Sequence, residues 1–444
     1  MQNRKDLYQA HQLMTRRASL ALICGEPDSP NQPLRRMNTA AICGIMAGVI
    51  AAAVFGVLGL LAPGPVTGLT QPGTLVVDED TATPYVPCEG SRLCPALNYA
   101  SALLALDSTS VSKVDVHQAS LSRYAIGPGI GIAGLPQDLP TPADLVRGPW
   151  SVCAANGQSA LVGGQTAGGT TLSLSQAVLA TTAQGGDWVL WNGERLPIAA
   201  QTMQFLFGTE PVTVPAGWLD ALPEGPPFAA PPIRDEGAPV TGPDGTTARV
   251  GHVFTSSSTR YFVLEANGKL TIISPLLKQL FGLEPGAGNP TPITPSAAAA
   301  DLSGASLAAT GLPATQPLPV PMSPSSPACV TYAAGLRRTL TTGGTIPAGS
   351  VATSGAAGVD GVWLPPGHGA LVGAAPSVQQ PSAVATWFLV TGAERFALPS
   401  PRVAQVLGYD LQTSGTVLPA SVLDLLPEGP ALDPAAATLR AAAS

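Results

Sequence analysis

Six cysteines, four histidines and four lysines are the side chains from which this 444-residue chain could build covalent, metal or phosphate chemistry. A phosphate-cradling Walker loop needs a lysine straight after one glycine, with another glycine five residues before that. Of Lys5, Lys113, Lys269 and Lys278, only Lys269 follows a glycine, and Val263 stands where the other glycine should be. Gly129-Ile130-Gly131-Ile132-Ala133-Gly134 spells a dinucleotide fingerprint, but Pro136 and Pro140 follow where the helix must start, so it reads as a turn. His11, His117, His252 and His368 have no carboxylate or thiol partner at metal-ligand spacing, and neither HExxH nor GxSxG occurs. Asp78-Glu79-Asp80 and Asp235-Glu236 read as solvated turns, since the calcium-loop pattern is absent. The expectation is therefore no catalytic, cofactor-binding or metal-ligating residue, and a scaffold or binding protein rather than an enzyme.

The cysteines suit a different role. Cys24 precedes an apolar segment and Cys43 lies inside it, leaving Cys88, Cys94, Cys153 and Cys329, an even number that allows three disulfide connectivities in an oxidising compartment. Cys88 and Cys94 flank a short hairpin, which favours their local pairing and leaves Cys153 for Cys329; four free thiols or a metal site are the alternatives.

Positioning these residues falls to two kinds of element. From Ala40 to Ala62 run 23 residues without a charge, closed by Pro63-Gly64-Pro65. As a helix they reach about 35 Å, enough for a hydrocarbon core. Arg35 and Arg36 precede this run and no Lys or Arg follows before Arg92, so the positive-inside rule puts the N-terminus in the cytoplasm and the bulk of the chain outside. Thr15-Arg16-Arg17-Ala18-Ser19-Leu20 looks superficially like a twin-arginine signal, but its apolar stretch stops at Cys24-Gly25 and the true apolar run is too long for a cleavable signal; an uncleaved anchor is expected. Gly44, Gly48, Ala52 and Gly56 recur every fourth residue and offer a helix-packing stripe. Residues 5–22 read as an amphipathic cytoplasmic helix, with Arg16 and Arg17 docking on anionic headgroups or a partner; a solvated basic face is the plainer reading.

Outside the membrane, four windows share one grammar of β-rich run, polar turn, short apolar strand and helix: 74–106, 187–208, 260–282 and 386–408. Gly90, Gly193, Gly268 and Gly392 occupy the turns, and a proline opens or precedes each helix. The second and fourth copies continue alike, VTVPAGWLDALPEGP against GTVLPASVLDLLPEGP. Stretches with Cys153 and with Cys329 interrupt the series, which points to a central domain built from both and two repeats on each side. The expected class is α+β: a basic helix over 1–38, a membrane helix over 40–62, small ββα-type repeats over 72–140, 181–235, 248–312 and 381–435 in pseudo-two-fold arrangement, and a central β domain from 141–180 and 313–380. Residues 284–327, rich in Pro, Ala, Ser and Gly, read as a loosely structured linker.

Composition limits the partners. Net charge is −7, but residues 1–38 carry +3 and the remainder −10, with 15 basic residues left over some 400 positions. Such a surface lacks the Lys/Arg-dense face that a phosphate backbone requires, so no nucleic acid partner is expected. With 49 Gly and 46 Pro, coiled coils and helical solenoids are unlike this chain; mean hydropathy is +0.26, yet a single span excludes a polytopic transporter.

Taken together, the helix ending in Arg16-Arg17, the span, the Leu93-Cys94-Pro95-Ala96-Leu97-Asn98-Tyr99-Ala100-Ser101-Ala102 signature, the Gly131-Ile132-Ala133-Gly134-Leu135-Pro136 turn and the Trp150-Ser151-Val152-Cys153 run resemble EccB, the single-span core component of type VII (ESX) secretion systems of mycobacteria and related actinobacteria. The resemblance covers nearly the whole chain. It implies an elongated periplasmic part with a central β domain between four repeat domains, and a disulfide falling on Cys153 and Cys329. It also implies assembly with the EccC ATPase, EccD and EccE, and self-association, in an inner-membrane complex exporting small helical effector proteins. Members are sometimes described as ATPases, and their repeats look like a phage-lysin cell-wall-binding subunit. The Cys88/Cys94 pair and a short, Ala-rich C-terminus depart from the pattern. The reading is a structural subunit of a secretion machine; a membrane-anchored binder of cell-wall glycan and a nucleotide hydrolase are the competing ones.

Overall fold

The computed structural model describes residues 4–25, 27, 33–61, 67–307, 311–323, 326–353 and 358–441. It contains two units, residues 1–67 and 68–444. In the first, helices run over Arg4–Cys24 and Pro33–Leu61. Met37–Val57 is long and apolar enough to cross a membrane. The apolar helix thus starts seven residues ahead of the expected span, while Ala62 and the Pro63-Gly64-Pro65 stop lie outside the described residues.

In the second unit, four sheets share one topology. Three antiparallel strands are followed by a helix and a fourth strand that returns parallel to the first, giving the order third-second-first-fourth in every copy. Repeat 1 uses Thr74–Asp78, Pro84–Cys88, Arg92–Pro95 and Ser112–Val116. Repeat 2 uses Gln176–Thr181, Asp187–Trp191, Glu194–Ile198 and Val212–Thr213. Repeat 3 uses Val253–Ser257, Arg260–Leu264, Leu270–Ile273 and Thr291–Pro292, and repeat 4 Gly369–Ala375, Thr386–Thr391, Glu394–Leu398 and Gly415–Pro419. The four turn glycines all have positive φ, between 62° and 77°. In repeat 2 Asn192 shares the left-handed region with Gly193, the two-residue turn whose twist matches a hairpin.

Each third strand would leave an open edge, a template for unwanted pairing. The chain covers it the same way four times. After the helix a strap pairs with the strand at Leu93–Ile126, Arg195–Glu224, Leu270–Leu302 and Arg395–Glu428. Two strand residues and four strap residues later it joins again, the amides of Ile130, Phe228 and Leu432 donating to the carbonyls of Pro95, Pro197 and Ala397, and Ile272 pairing with Ser306.

Two expectations change. Repeats 2 to 4 each begin one strand before their sequence windows, so Gln176–Thr181 and Gly369–Ala375 leave the central segments 141–180 and 313–380 for the repeat sheets. Both strands are buried on both faces and lack the alternation that marks a half-exposed strand. The stretch 284–327 is no loose linker: it holds Thr291–Pro292, helix Pro295–Ala300, Leu302–Ser306 and Leu318–Pro319.

The central sheet has seven strands drawn from 150–171 and 328–363, with Trp150–Ala155 antiparallel to Ala328–Ala333 at its middle. Apolar cores show how the repeats associate. One core joins Leu75, Val86 and Leu104 of repeat 1 to Leu389, Phe396 and Leu407 of repeat 4; a second joins Val189 and Leu196 of repeat 2 to Val263 and Leu277 of repeat 3. The largest core ties the central strands to segments of repeats 2 and 4.

Two buried tyrosines make this packing sensitive to alkali. The Tyr332 hydroxyl donates to the Ala221 carbonyl and that of Tyr409 to the Pro140 carbonyl. Burial pushes both hydroxyls above the ordinary tyrosine range, although Arg338 opposes the rise at Tyr332. Folded-state values above the unfolded one mean that this stability is whole below about pH 10 and is lost as pH climbs toward the folded values. Melting temperature should fall more steeply between pH 9 and 11 in the native chain than in Tyr332→Phe/Tyr409→Phe; parallel slopes would refute this.

Candidate functional site

Among the described residues no three of His, Cys, Asp and Glu come together to hold a metal ion. The glycine run 129–134 serves as a turn: Asn98 caps helix Tyr99–Leu106 through the Ser101 amide and donates its own side-chain amide to the Ile132 carbonyl, while the Ser101 hydroxyl accepts from the Ile132 amide. Two stretches 30 residues apart, the Leu93–Ala102 signature and the Gly131–Pro136 turn, are therefore one hydrogen-bonded unit. His117 has carboxylate neighbours that local spacing did not reveal, Glu79 at 3.3 Å and Asp80 at 3.6 Å, all exposed to water. Asp78 of the same acidic run is buried and accepts from the Asp80 amide and the Thr81 hydroxyl, so it shapes the turn.

The structure bonds Cys88 to Cys94 across neighbouring strands of repeat 1, and Cys153 to Cys329 as directly opposed residues of the central sheet, with Cα atoms 5.9 and 4.0 Å apart. The central pair is fully buried. Gly44, Gly48, Ala52 and Gly56 line the apolar helix, where a Cβ added at any of the three glycines would meet no atom within 4 Å. Arg16 and Arg17 lie exposed on the first helix.

A feature that sequence reasoning missed repeats in copies 2 and 4. Arg195 pairs with Asp220 and, at 3.6 Å, Glu224, its guanidinium 5.0 Å from the Trp188 ring. Arg395 pairs with Asp424 at 2.6 Å and Glu428 at 3.4 Å, 5.1 Å from the Phe388 ring. Around each, the arginine amide donates to Pro223 or Pro427 and the following glycine amide returns the bond at 2.9 Å, so the Leu-Pro-Glu-Gly echo is a clasp on the third strand. The signal was present as an aspartate four residues before each glutamate and an arginine in each return strand. Arg395→Ala should lower stability by about 1–2 kcal/mol, and Arg195→Ala similarly, since both ring contact and paired charges go. Arg402→Ala, which breaks an exposed pair with Asp107, should stay within about 0.5 kcal/mol. Urea titrations of the three variants check this, and equal effects would sink it.

This arrangement of one apolar helix, repeat sheets and a stitched central sheet is matched along its length by a family model. That model, Type VII secretion system ESX-1, transport TM domain B, fits residues 2–443. The chain belongs to the EccB family. Among its relatives, the ESX-2 secretion system ATPase EccB2 of Mycobacterium tuberculosis is 30% identical over 285 residues, 59% of this chain and 56% of that protein. The ESX-5 secretion system ATPase EccB5 of Mycobacterium marinum is 28% identical over 312 residues, 64% of this chain and 60% of that one. The chain thus spans little more than half the length of the curated relatives it matches. Among solved structures, a chain of the intact ESX-5 inner membrane complex covers all of this one at 24% identity and a TM-score of 0.66, with 96% of its own length matched. The EccB3 dimer of the ESX-3 core complex is 26% identical with a TM-score of 0.65, over 82% of this chain and 99% of that one.

Proposed function

We propose that this protein is a structural subunit of the inner-membrane core complex of a type VII (ESX) secretion system, anchored by the helix containing Met37–Val57 and assembling with itself and with EccC, EccD and EccE components. The observation that carries the reading is the family match over residues 2–443. The likeness of the fold to a chain of an ESX-5 inner membrane complex and to an EccB3 dimer supports it. Basic residues ahead of the span favour a cytoplasmic N-terminus, which leaves the repeats and the disulfides on the oxidising side. Its curated relatives carry the word ATPase in their names, but this sequence has no Walker loop, and repetition of sheets, straps and clasps is what a rigid scaffold needs.

Purification in mild detergent should yield a large assembly with EccC-, EccD- and EccE-type partners. A monomer with no co-purifying protein would overturn the proposal. Green fluorescent protein should fluoresce at the N-terminus and alkaline phosphatase be active only at the C-terminus; the reverse pattern would invert the topology.

A further inference from the structure

Among the described residues, repeat 3 carries an element that the other three lack. Between repeats 2 and 3 the chain forms a separate hairpin, Pro239–Thr241 with Thr247–Arg249, whose Val240 and Ala248 pack onto Phe254, Phe262 and Leu264 of the repeat. The hairpin side, 246–250, makes one wall of a cavity of about 960 Å³, and the loop 284–287 after helix Pro275–Phe281 makes another. Phe254 and Phe281 line it, and His252 stands edge-on to Phe254 with ring centroids 5.0 Å apart. The volume falls in the range of small-molecule sites, and the lining mixes apolar side chains with a few polar ones.

The charges at this cavity are unbalanced. Glu236 and Glu284 both line it, and among the described residues neither has a cation within 4.0 Å. Burial, and then the charge on Glu284, hold the Glu236 carboxyl above the usual carboxylate range. Arg249 is the cationic group at the cavity, and its guanidinium is committed to the Gly237 carbonyl at 2.8 Å, holding the base of the hairpin. His252 is bonded to the Thr291 hydroxyl at 2.8 Å and burial lowers its pKa, so it adds no charge at neutral pH. A divalent metal would need a third ligand that the described residues do not bring together here.

A cation with an apolar stem answers both features, its charge beside the two carboxylates and its methylenes against Ala248, Pro285 and Ala287, since Phe254 and Phe281 are themselves buried beneath the lining. We propose that the repeat 3 cavity binds a primary ammonium group on an aliphatic stem, as a lysine side chain of a peptide presents it, with Glu236 and Glu284 as its counter-charges. This stands apart from membership of the secretion complex.

The test titrates the purified full chain in detergent with Nα-acetyl-lysine methylamide, followed by ligand NMR. Saturable binding is expected, weaker by roughly tenfold for the uncharged Nα-acetyl-norleucine methylamide. Glu236→Gln and Glu284→Gln should each weaken the lysine probe by about fivefold or more without changing the melting temperature, and Glu210→Gln should not weaken it. A lysine probe that fails to saturate, or binds no better than norleucine, overturns the proposal, as does undiminished binding by both glutamine variants.

Discussion

Trp218→Ala is expected to destabilise the unit of residues 68–444 by about 3–5 kcal/mol, the range for emptying a buried aromatic site. Trp218 sits in helix Ala216–Asp220 of repeat 2, is fully buried, and donates its indole N–H to the Val152 carbonyl of the central sheet at 3.0 Å. It belongs to the core that joins Trp150, Val152 and Leu161 of the central sheet to Val178 and Leu190 of its own repeat. The site has little room to collapse, because the neighbouring helix backbone is already held close. A Cβ at Gly217 would lie 1.4 Å from the Gly358 carbonyl oxygen, so this residue must be glycine for the helix to seat. Nearby, Glu194 of repeat 2 reaches Arg338 of the central sheet at 2.9 Å. Without the indole, repeat 2 keeps those polar ties but loses its plug. Val422 holds the equivalent place in repeat 4, and its smaller side chain predicts a smaller cost for Val422→Ala. Denaturant titrations of the two variants decide the matter, with limited proteolysis reporting whether 209–215 opens first. A Trp218→Ala chain within about 1 kcal/mol of the native one would show that repeat 2 is not anchored through this residue.

How far the sequence discloses this fold depends on how local each signal is. The span was legible because 23 successive uncharged residues need no partner to be recognised. Hairpin and helix of each repeat were legible because Gly193, Gly392 and Pro275 act on their immediate neighbours. The first strands of repeats 2 and 4 were not: QAVLAT and GALVGAA are buried on both sides, and in an Ala- and Gly-rich chain such runs carry no period. The arginine clasps and the acidic neighbours of His117 were hidden because their partners lie 25 to 38 residues away, beyond any spacing rule. The same holds for the repeat 3 cavity, whose walls come from a hairpin and a loop separated in the chain by three strands and a helix.

The second large effect concerns the central disulfide. Cys153 and Cys329 are 176 residues apart, and the loop they close contains the whole of repeats 2 and 3. In the chain-entropy model, opening such a loop in the unfolded state costs about 5 kcal/mol of stability, against about 2.4 kcal/mol for the six-residue separation of Cys88 and Cys94. Alanine is the informative substitution. Both central sulfurs are fully buried beside Ala167, where serine would add two hydroxyls needing partners and confuse two effects. The ladder around the bond should survive in Cys153→Ala/Cys329→Ala, because Val152–Val330 and Ala154–Ala328 still pair on either side and the next strand still joins at Cys329–Thr341. The loss should therefore appear as reduced global stability, larger by about 2–3 kcal/mol than in Cys88→Ala/Cys94→Ala, with native-state circular dichroism unchanged. Guanidinium titrations of both double variants under oxidising conditions measure the difference. Equal losses would mean that the long loop is already compact in the unfolded chain, and that the central bond acts through local packing and not through the lobe it encloses.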